Sequence, residues 1–245
     1  MDIPRELIER LAQARRVAVL TGAGISAESG IPTFRDALTG LWANYDPQEL
    51  ATPEGFARNP KMVWEWYAAR RASIVGVRPN PGHDALARLE RRFATFTLVT
   101  QNIDSLHQRA GSREVVELHG NITRVKCSLE QRVVSDFAEG ESPPRCPAAP
   151  TCARTSCGSA KCCRRMPWRG RRMPQSIATC FSASAPRRRS TRQPNCPLRA
   201  LSAGATVVEI NPERTALTRH VQFALQGPAG EVLPRLLDRL AAASA

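Results

Sequence analysis

The chain has 245 residues, enough for one α/β domain with a smaller insert, and carries a formal net charge of +13 with a pI near 10.4. No apolar run reaches the ~18 residues that a membrane-spanning helix needs, and the opening MDIPRE has acids and no apolar core, so no secretory signal is expected. The charge invites a nucleic-acid reading, but residues 142–208 hold thirteen Lys and Arg and no Asp or Glu, which leaves the rest of the chain neutral. A cytoplasmic monomer with no nucleic-acid and no membrane partner is therefore expected.

Ile3, Leu7, Ile8 and Leu11 recur at helical spacing, and Val17-Ala18-Val19-Leu20 follows as a short apolar run of the kind buried in parallel sheets. Residues 22–36 then read GAGISAESGIPTFRD. Gly22 and Gly24 permit a tight turn and a close approach of backbone to a ligand. Ser26, Ser29 and the backbone amides offer hydrogen bonds to a pyrophosphate, and Arg35 offers a charge. GAGISA alone is a loose dinucleotide fingerprint, and it reads as easily as a strand-to-helix turn with packing glycines. A dehydrogenase would need a second strand and an acidic residue about 20 positions on. Here Gly30-Ile31-Pro32 instead breaks any helix and leads into Thr33-Phe34-Arg35-Asp36.

Residues 64–70, WEWYAAR, read as helix, and a spacing of three sets Tyr67 and Arg70 on one face. A guanidinium beside a phenol suits a carboxylate; a surface helix with a solvated arginine is the plainer alternative. The apolar run 96–99 ends in Thr100-Gln101-Asn102-Ile103-Asp104, where Asn102 and Asp104 can cap a strand end or position a ligand. Glu117-Leu118-His119-Gly120 holds a histidine whose ordinary pKa near 6.5 suits a general base. Cys127 is followed by Ser128-Leu129-Glu130, and Cys146 stands alone, so these two thiols form an incomplete metal set; Cys152 or Cys157 could add to it, at unpersuasive spacing. Residues 206–210 read as a strand leading into Asn211-Pro212-Glu213, and a glycine-rich turn, QGPAG, spans 226–230.

The string at 22–36, with QNID at 101–104, His119-Gly120, Asn211-Pro212 and the turn at 226–230, resembles the sirtuins, NAD-dependent protein deacylases. The resemblance covers about 1–147 and 197–245 and is absent between them. It implies an α/β fold: a Rossmann-type parallel sheet (about 1–35, 82–122 and 197–245) with a small helical insert (36–81) and a zinc-type insert (123–150). It implies NAD as cofactor and acyl-lysine proteins or peptides as substrates, with the acyl group passing to ADP-ribose as nicotinamide leaves. His119 takes the role of catalytic base. Gly22, Ala23, Gly24, Ser26, Thr33, Phe34, Arg35, Gln101, Asn102, Asp104, Asn211 and Ala229 take the role of cofactor contacts. The Tyr67-x-x-Arg70 pair resembles that of sirtuins that remove succinyl and malonyl groups. The family's zinc module has two Cys-x-x-Cys pairs, of which this chain keeps Cys127 and Cys146, so bound zinc is doubtful.

Residues 148–195 hold five of the eight cysteines and clustered arginines, with no sustained period. A disordered basic arm would fit that composition. A shifted reading frame explains more. Re-read from the last base of each codon, residues 158–164 permit Trp-Phe-Gly-Glu-Met-Leu-Pro, and residues 178–186 permit Cys-Asp-Val-Phe-Phe-Ser-Val-Gly-Thr, both sirtuin-like strings. A compensated double frameshift, entering near Ala148 and leaving near Asn195, is expected. The tract is then expected to remove a central-sheet strand and a cofactor loop, leaving a poorly folded or inactive product. A basic nucleic-acid-binding protein and an NAD-dependent dehydrogenase remain the alternatives from other classes.

Overall fold

The computed structural model describes residues 2–32, 50–135, 141–145, 152–154, 176–181 and 196–243. Its first elements follow the sequence periods directly. Helix α1 (Arg5–Ala12) buries Leu7, Ile8 and Leu11 on one face, and strand β1 (Arg16–Thr21) is buried at Val17 and over Val19 to Thr21. Such a run fits a strand covered on both sides. Helix α2 (Ala23–Ala27) follows at once, with Gly22 in extended backbone at its N-cap. The turn after it is closed by Gly30 at φ +85°, a left-handed conformation that favours glycine.

Three helices of the next segment start the same way, a capping residue followed by proline. Thr52 caps α3 (Pro53–Arg58), Asn59 caps α4 (Pro60–Val75) and Asn80 caps α5 (Pro81–Glu90). Each cap side chain accepts a backbone N–H of the first turn, and proline fits the first helical position because its missing N–H has no intrahelical partner there. Strand β2 (Thr95–Thr100), helix α6 (Leu106–Arg109) and strand β3 (Val115–Glu117) come next, then β4 (Val125–Cys127) and β5 (Val133–Val134). The remaining elements are β6 (Cys152–Arg154), β7 (Ser176–Phe181), α7 (Cys196–Ser202), β8 (Thr206–Asn211), β9 (Phe223–Gln226) and α8 (Ala229–Ala242).

Among the described residues, six strands form one parallel sheet in the order β3-β2-β1-β7-β8-β9. Helices α1, α5 and α8 share one apolar core with it, through Leu7, Leu86, Leu98, Ile210 and Leu237. A second core, Leu50, Phe56, Val63, Trp66, Tyr67 and Ile74 with Leu106 and Ile122, holds the helical insert against α6. Strands β5, β4 and β6 form a separate antiparallel sheet. No described helix is long and apolar enough to cross a membrane.

The expectation that residues 148–195 leave the central sheet without a strand is corrected. Strand β7 lies between β1 and β8, with Ala178 opposite Ala18 on one side and Val207 on the other. Residues 176–181 read SIATCF and lie within 173–186, a run of fourteen residues with no charged side chain in this otherwise basic tract. An uncharged run can enter a sheet buried on both faces, where an arginine would have to give up its hydration. The same tract supplies β6, which pairs with β4.

Candidate active site

All six strands of the main sheet run the same way, so their carboxyl ends share one edge. The order reverses at β1: the chain passes first to β2 and β3, then returns to β7 on the other side. Open parallel sheets bind ligands outside such a switch point. Four of the sequence-derived candidates lie at this edge. Gly22 follows Thr21 at the end of β1, Gln101 and Asn102 follow Thr100 at the end of β2, and Asn211 ends β8.

Side-chain hydrogen bonds draw the first group together. Asn102 Nδ2 donates to the Gly22 carbonyl at 3.0 Å and to Ser26 Oγ at 2.7 Å, while its backbone N–H donates to Thr100 Oγ1 at 3.0 Å. Gln101 N donates to the Thr21 carbonyl at 2.9 Å, carrying the β1–β2 pairing one residue further. Asp104 is 5 % exposed and accepts the Leu106 N–H at 2.9 Å. It therefore caps α6 as well as bonding to Ser26. Burial raises its carboxyl above the ordinary carboxylate value, and the Leu106 and Ser26 hydrogen bonds pull it partly back. Gly22, Ala23, Gly24 and Ser26 thus form one side of a cluster whose other side is Asn102 and Asp104.

His119 stands beyond β3, on a turn that Gly120 closes at φ +73°. The preceding Glu117 fixes that turn: it accepts Gln108 Nε2 at 2.8 Å and Asn121 Nδ2 at 2.7 Å, and it pairs with Arg124. His119 keeps much of its surface in solvent. The protein packed around its ring still desolvates it enough to lower the imidazole from its ordinary value of 6.5. A neutral imidazole facing solvent can accept a proton near neutral pH.

Asn211 carries the strongest mark of a ligand. It is 3 % exposed, and neither its Nδ2 nor its Oδ1 finds a partner among the described residues. Buried amides are ordinarily hydrogen-bonded, so an orphaned donor and acceptor side by side fit a polyhydroxyl such as a ribose. It lines a cavity with Glu209, Arg214, Thr218, Leu225 and Gln226. Glu209 is buried there and accepts Thr215 Oγ1, and Thr218 Oγ1 at 2.5 Å. At Ala229 the expected cofactor contact changes form. Its N–H donates to Glu28 Oε1 at 2.7 Å and that of Gly230 to Oε2 at 2.8 Å, so the α8 N-terminus is already capped by a carboxylate.

Tyr67 is 3 % exposed and Arg70 half-buried on α4, with the guanidinium 5.2 Å above the Trp66 ring. Burial lowers the Arg70 pKa, while Tyr67 and Asp104 draw it back up. Arg70 thus lies over Trp66 within the field of Tyr67 and Asp104 rather than freely solvated. Thr33, Phe34, Arg35 and Cys146 lie outside the described residues. Cys127 is fully buried in β4, its Sγ accepts the Glu130 N–H at 3.4 Å, and the backbone register sets it opposite Cys152. Among the described residues no three His, Cys, Asp or Glu side chains gather. Cys127 and Cys146 alone would not close a tetrahedral thiolate site, so these donors do not fit zinc and no chemistry is assigned to it.

The sequence reading assigned no role to Asn80, Thr21, Thr100, Glu28, His83 or His107. Asn80 Nδ2 donates to the Ile25 carbonyl at 2.6 Å and to Ser29 Oγ at 2.9 Å, tying the glycine loop to α5. Its signal was legible as an Asn-Pro-Gly-His capping box. The threonines end apolar strands and the histidines lie among mixed polar residues, and only their convergence in space sets them apart.

A Sir2 family model matches residues 22–184. The chain is 44 % identical over 254 residues to NAD-dependent protein deacylase 1 of Pseudomonas aeruginosa, covering 96 % of this chain and 98 % of the relative. It is 43 % identical over 253 residues to an NAD-dependent protein deacylase of Methylococcus capsulatus, covering 98 % of each. Among solved structures, a Sir2 homologue variant in complex with ADP-ribose superposes with a TM-score of 0.81 at 35 % identity over 99 % of this chain and 98 % of that one. A Sir2 homologue with NAD gives 0.81 at 34 % identity over 100 % and 96 %.

Proposed function

The chain belongs to the Sir2 family, and from that premise we propose that it removes acyl groups from protein lysines with consumption of NAD. The buried, unpartnered amide of Asn211 on the same sheet edge as the Gly22–Asn102–Asp104 cluster carries this reading, because it offers a donor and an acceptor where the cofactor's adenosine ribose would lie. When bound, NAD supplies an activated glycosidic bond and an acceptor for the acyl group. Gly22, Ala23, Gly24 and Ser26 would hold the phosphates, with Thr33, Phe34 and Arg35 beyond them. Gln101, Asn102 and Asp104 would orient the nicotinamide end. His119 would take a proton from a ribose hydroxyl at an imidazole nitrogen.

The acyl group we assign is acetyl, with succinyl and malonyl also accepted. Tyr67 and Arg70 support this, since an oriented guanidinium beside a phenol matches a distal carboxylate. A cytoplasmic location and a monomeric state belong to the same reading. The dehydrogenase and nucleic-acid readings have no comparable support: the relatives are deacylases, and the basic excess is confined to residues 142–208.

The deciding experiment measures nicotinamide release from NAD with and without an acyl-lysine peptide. Release that depends on the peptide is expected, with free lysine and O-acyl-ADP-ribose formed in step. Hydride transfer without the peptide would overturn the proposal.

A further inference from the structure

Two fully buried histidines lie behind the cleft and take no part in the proposed chemistry. His83 on α5 is 0 % exposed and His107 on α6 is 1 % exposed. Their ring centroids are 4.8 Å apart and their planes are tilted by 53°.

The partners of each ring fix where its proton sits. Asn80 donates its backbone N–H to His83 Nδ1 at 3.3 Å, so that nitrogen bears a lone pair and the proton is on Nε2. Thr21 Oγ1 donates its proton to Thr100 Oγ1 at 2.9 Å and lies 2.9 Å from His107 Nε2. The Thr21 hydroxyl has then no proton left for the imidazole, so His107 Nε2 must be the donor and Nδ1 the lone pair. What remains is a buried donor, His83 Nε2, and a buried acceptor, His107 Nδ1, each without a partner among the described residues. Two orphans of opposite sense on adjacent rings complete one another through one buried water.

We propose that His83 and His107 are linked in a one-directional hydrogen-bond chain from the Asn80 N–H to Thr100 Oγ1, and that His107 is a positioning residue for the cofactor cleft. Thr100 Oγ1, the end of the chain, also receives the Asn102 N–H, and the Asn102 amide grips Gly22 and Ser26. Asn80, where the chain starts, grips Ile25 and Ser29 with its side chain. The chain closes a ring around the glycine loop. An apolar side chain at 107 would free Thr21 to reorient and loosen the Thr100 hydroxyl that receives the Asn102 N–H.

The inference rests on the proposed NAD site, and its test has one arm that does not. Nitrogen-15 spectra of histidine-labelled wild-type protein near neutral pH should show both rings protonated at Nε2 alone. A ring protonated at Nδ1 or charged would overturn the chain whatever the enzyme's activity. In the second arm, calorimetric NAD affinity is compared across His107→Leu, His107→Gln and Thr21→Val. His107→Leu should weaken NAD about tenfold, the scale of one lost buried hydrogen bond. His107→Gln, whose amide nitrogen can still donate to Thr21, should recover most of it. Thr21→Val combined with His107→Leu should add nothing to the single losses. Gln no better than Leu, or additive losses, would sink the proposal. Failure of acyl transfer with both arms as expected would count against the proposed function alone.

Discussion

His119 has the side chain whose chemistry is easiest to test. A base must be neutral to act, and its imidazole is lowered from 6.5, so the acid limb of kcat/KM should lie below that value with a plateau through neutral pH. A limb centred at or above it would contradict the assignment. His119→Ala should lose at least ~10²-fold in turnover while keeping NAD affinity. Tyr67→Phe with Arg70→Met should abolish desuccinylation and spare deacetylation; equal loss on both peptides would reduce the pair to a structural role. The buried histidines make a separate prediction about stability. Burial lowers His83 to about 4 and His107 to about 3, the latter with a further push from His83, against 6.5 for an exposed ring. Between those limits the unfolded chain binds more protons than the folded one. Stability therefore falls as pH drops below about 6.5, by up to ~1.4 kcal/mol per pH unit for each ring. Asp104, raised by burial, acts in the opposite sense in its own window, because there the folded chain holds the extra proton. Urea midpoints that stay level from about pH 7 to about pH 5 would refute the histidine effect.

Among the elements, the crossing of α5 and α8 is the tightest constraint near the cleft. A Cβ on Gly82 would stand 3.1 Å from the backbone carbon and oxygen of Ala229 and from Asn80 Oδ1, none of which is the end of a flexible chain. Gly82→Ala should cost ~1–3 kcal/mol, typical of overpacking. Gly76, at the end of α4, meets nothing within 4 Å and has φ −82°. Gly76→Ala should therefore be neutral or stabilise by ~0.4–1 kcal/mol through the unfolded chain. Opposite shifts in the urea midpoint are expected, and shifts of the same sign would contradict this packing. The α8 N-terminus depends on Glu28, whose carboxylate spans the Ala229 and Gly230 N–H groups. Glu28→Ala should lower stability by ~0.5–2 kcal/mol, as loss of a cap does.

For the whole molecule the decisive feature is β7, which joins the β1–β2–β3 half of the sheet to the β8–β9 half. Ala178→Pro would remove an N–H from a strand paired on both sides and should cost several kcal/mol, a large share of the ~5–15 kcal/mol of a typical domain. Cooperative thermal unfolding should be lost; an unchanged transition would mean that β7 does not hold the halves together. The shifted-frame reading is tested at the gene: its nucleotide sequence over residues 145–198 should encode the sirtuin-like strings in the alternative frame. A chain rebuilt in that frame should melt at a higher temperature. The sequence by itself determined the glycine loop and the strands it read at 17–20, 96–99 and 206–210, which the structure extends to 16–21, 95–100 and 206–211, and it singled out Asn211 and His119 as candidates, because period, turn residues and motif spacing are local properties of the chain. It misjudged 176–181, which lie in the uncharged run 173–186 inside an arginine-rich tract, and composition averaged over the tract hid them. It assigned no role to Asn80, Glu28, Thr21, Thr100, His83 and His107. Their meaning lies in which polar atoms are buried beside which others, and partners as far as 202 residues apart meet only when parallel strands and their helices pack.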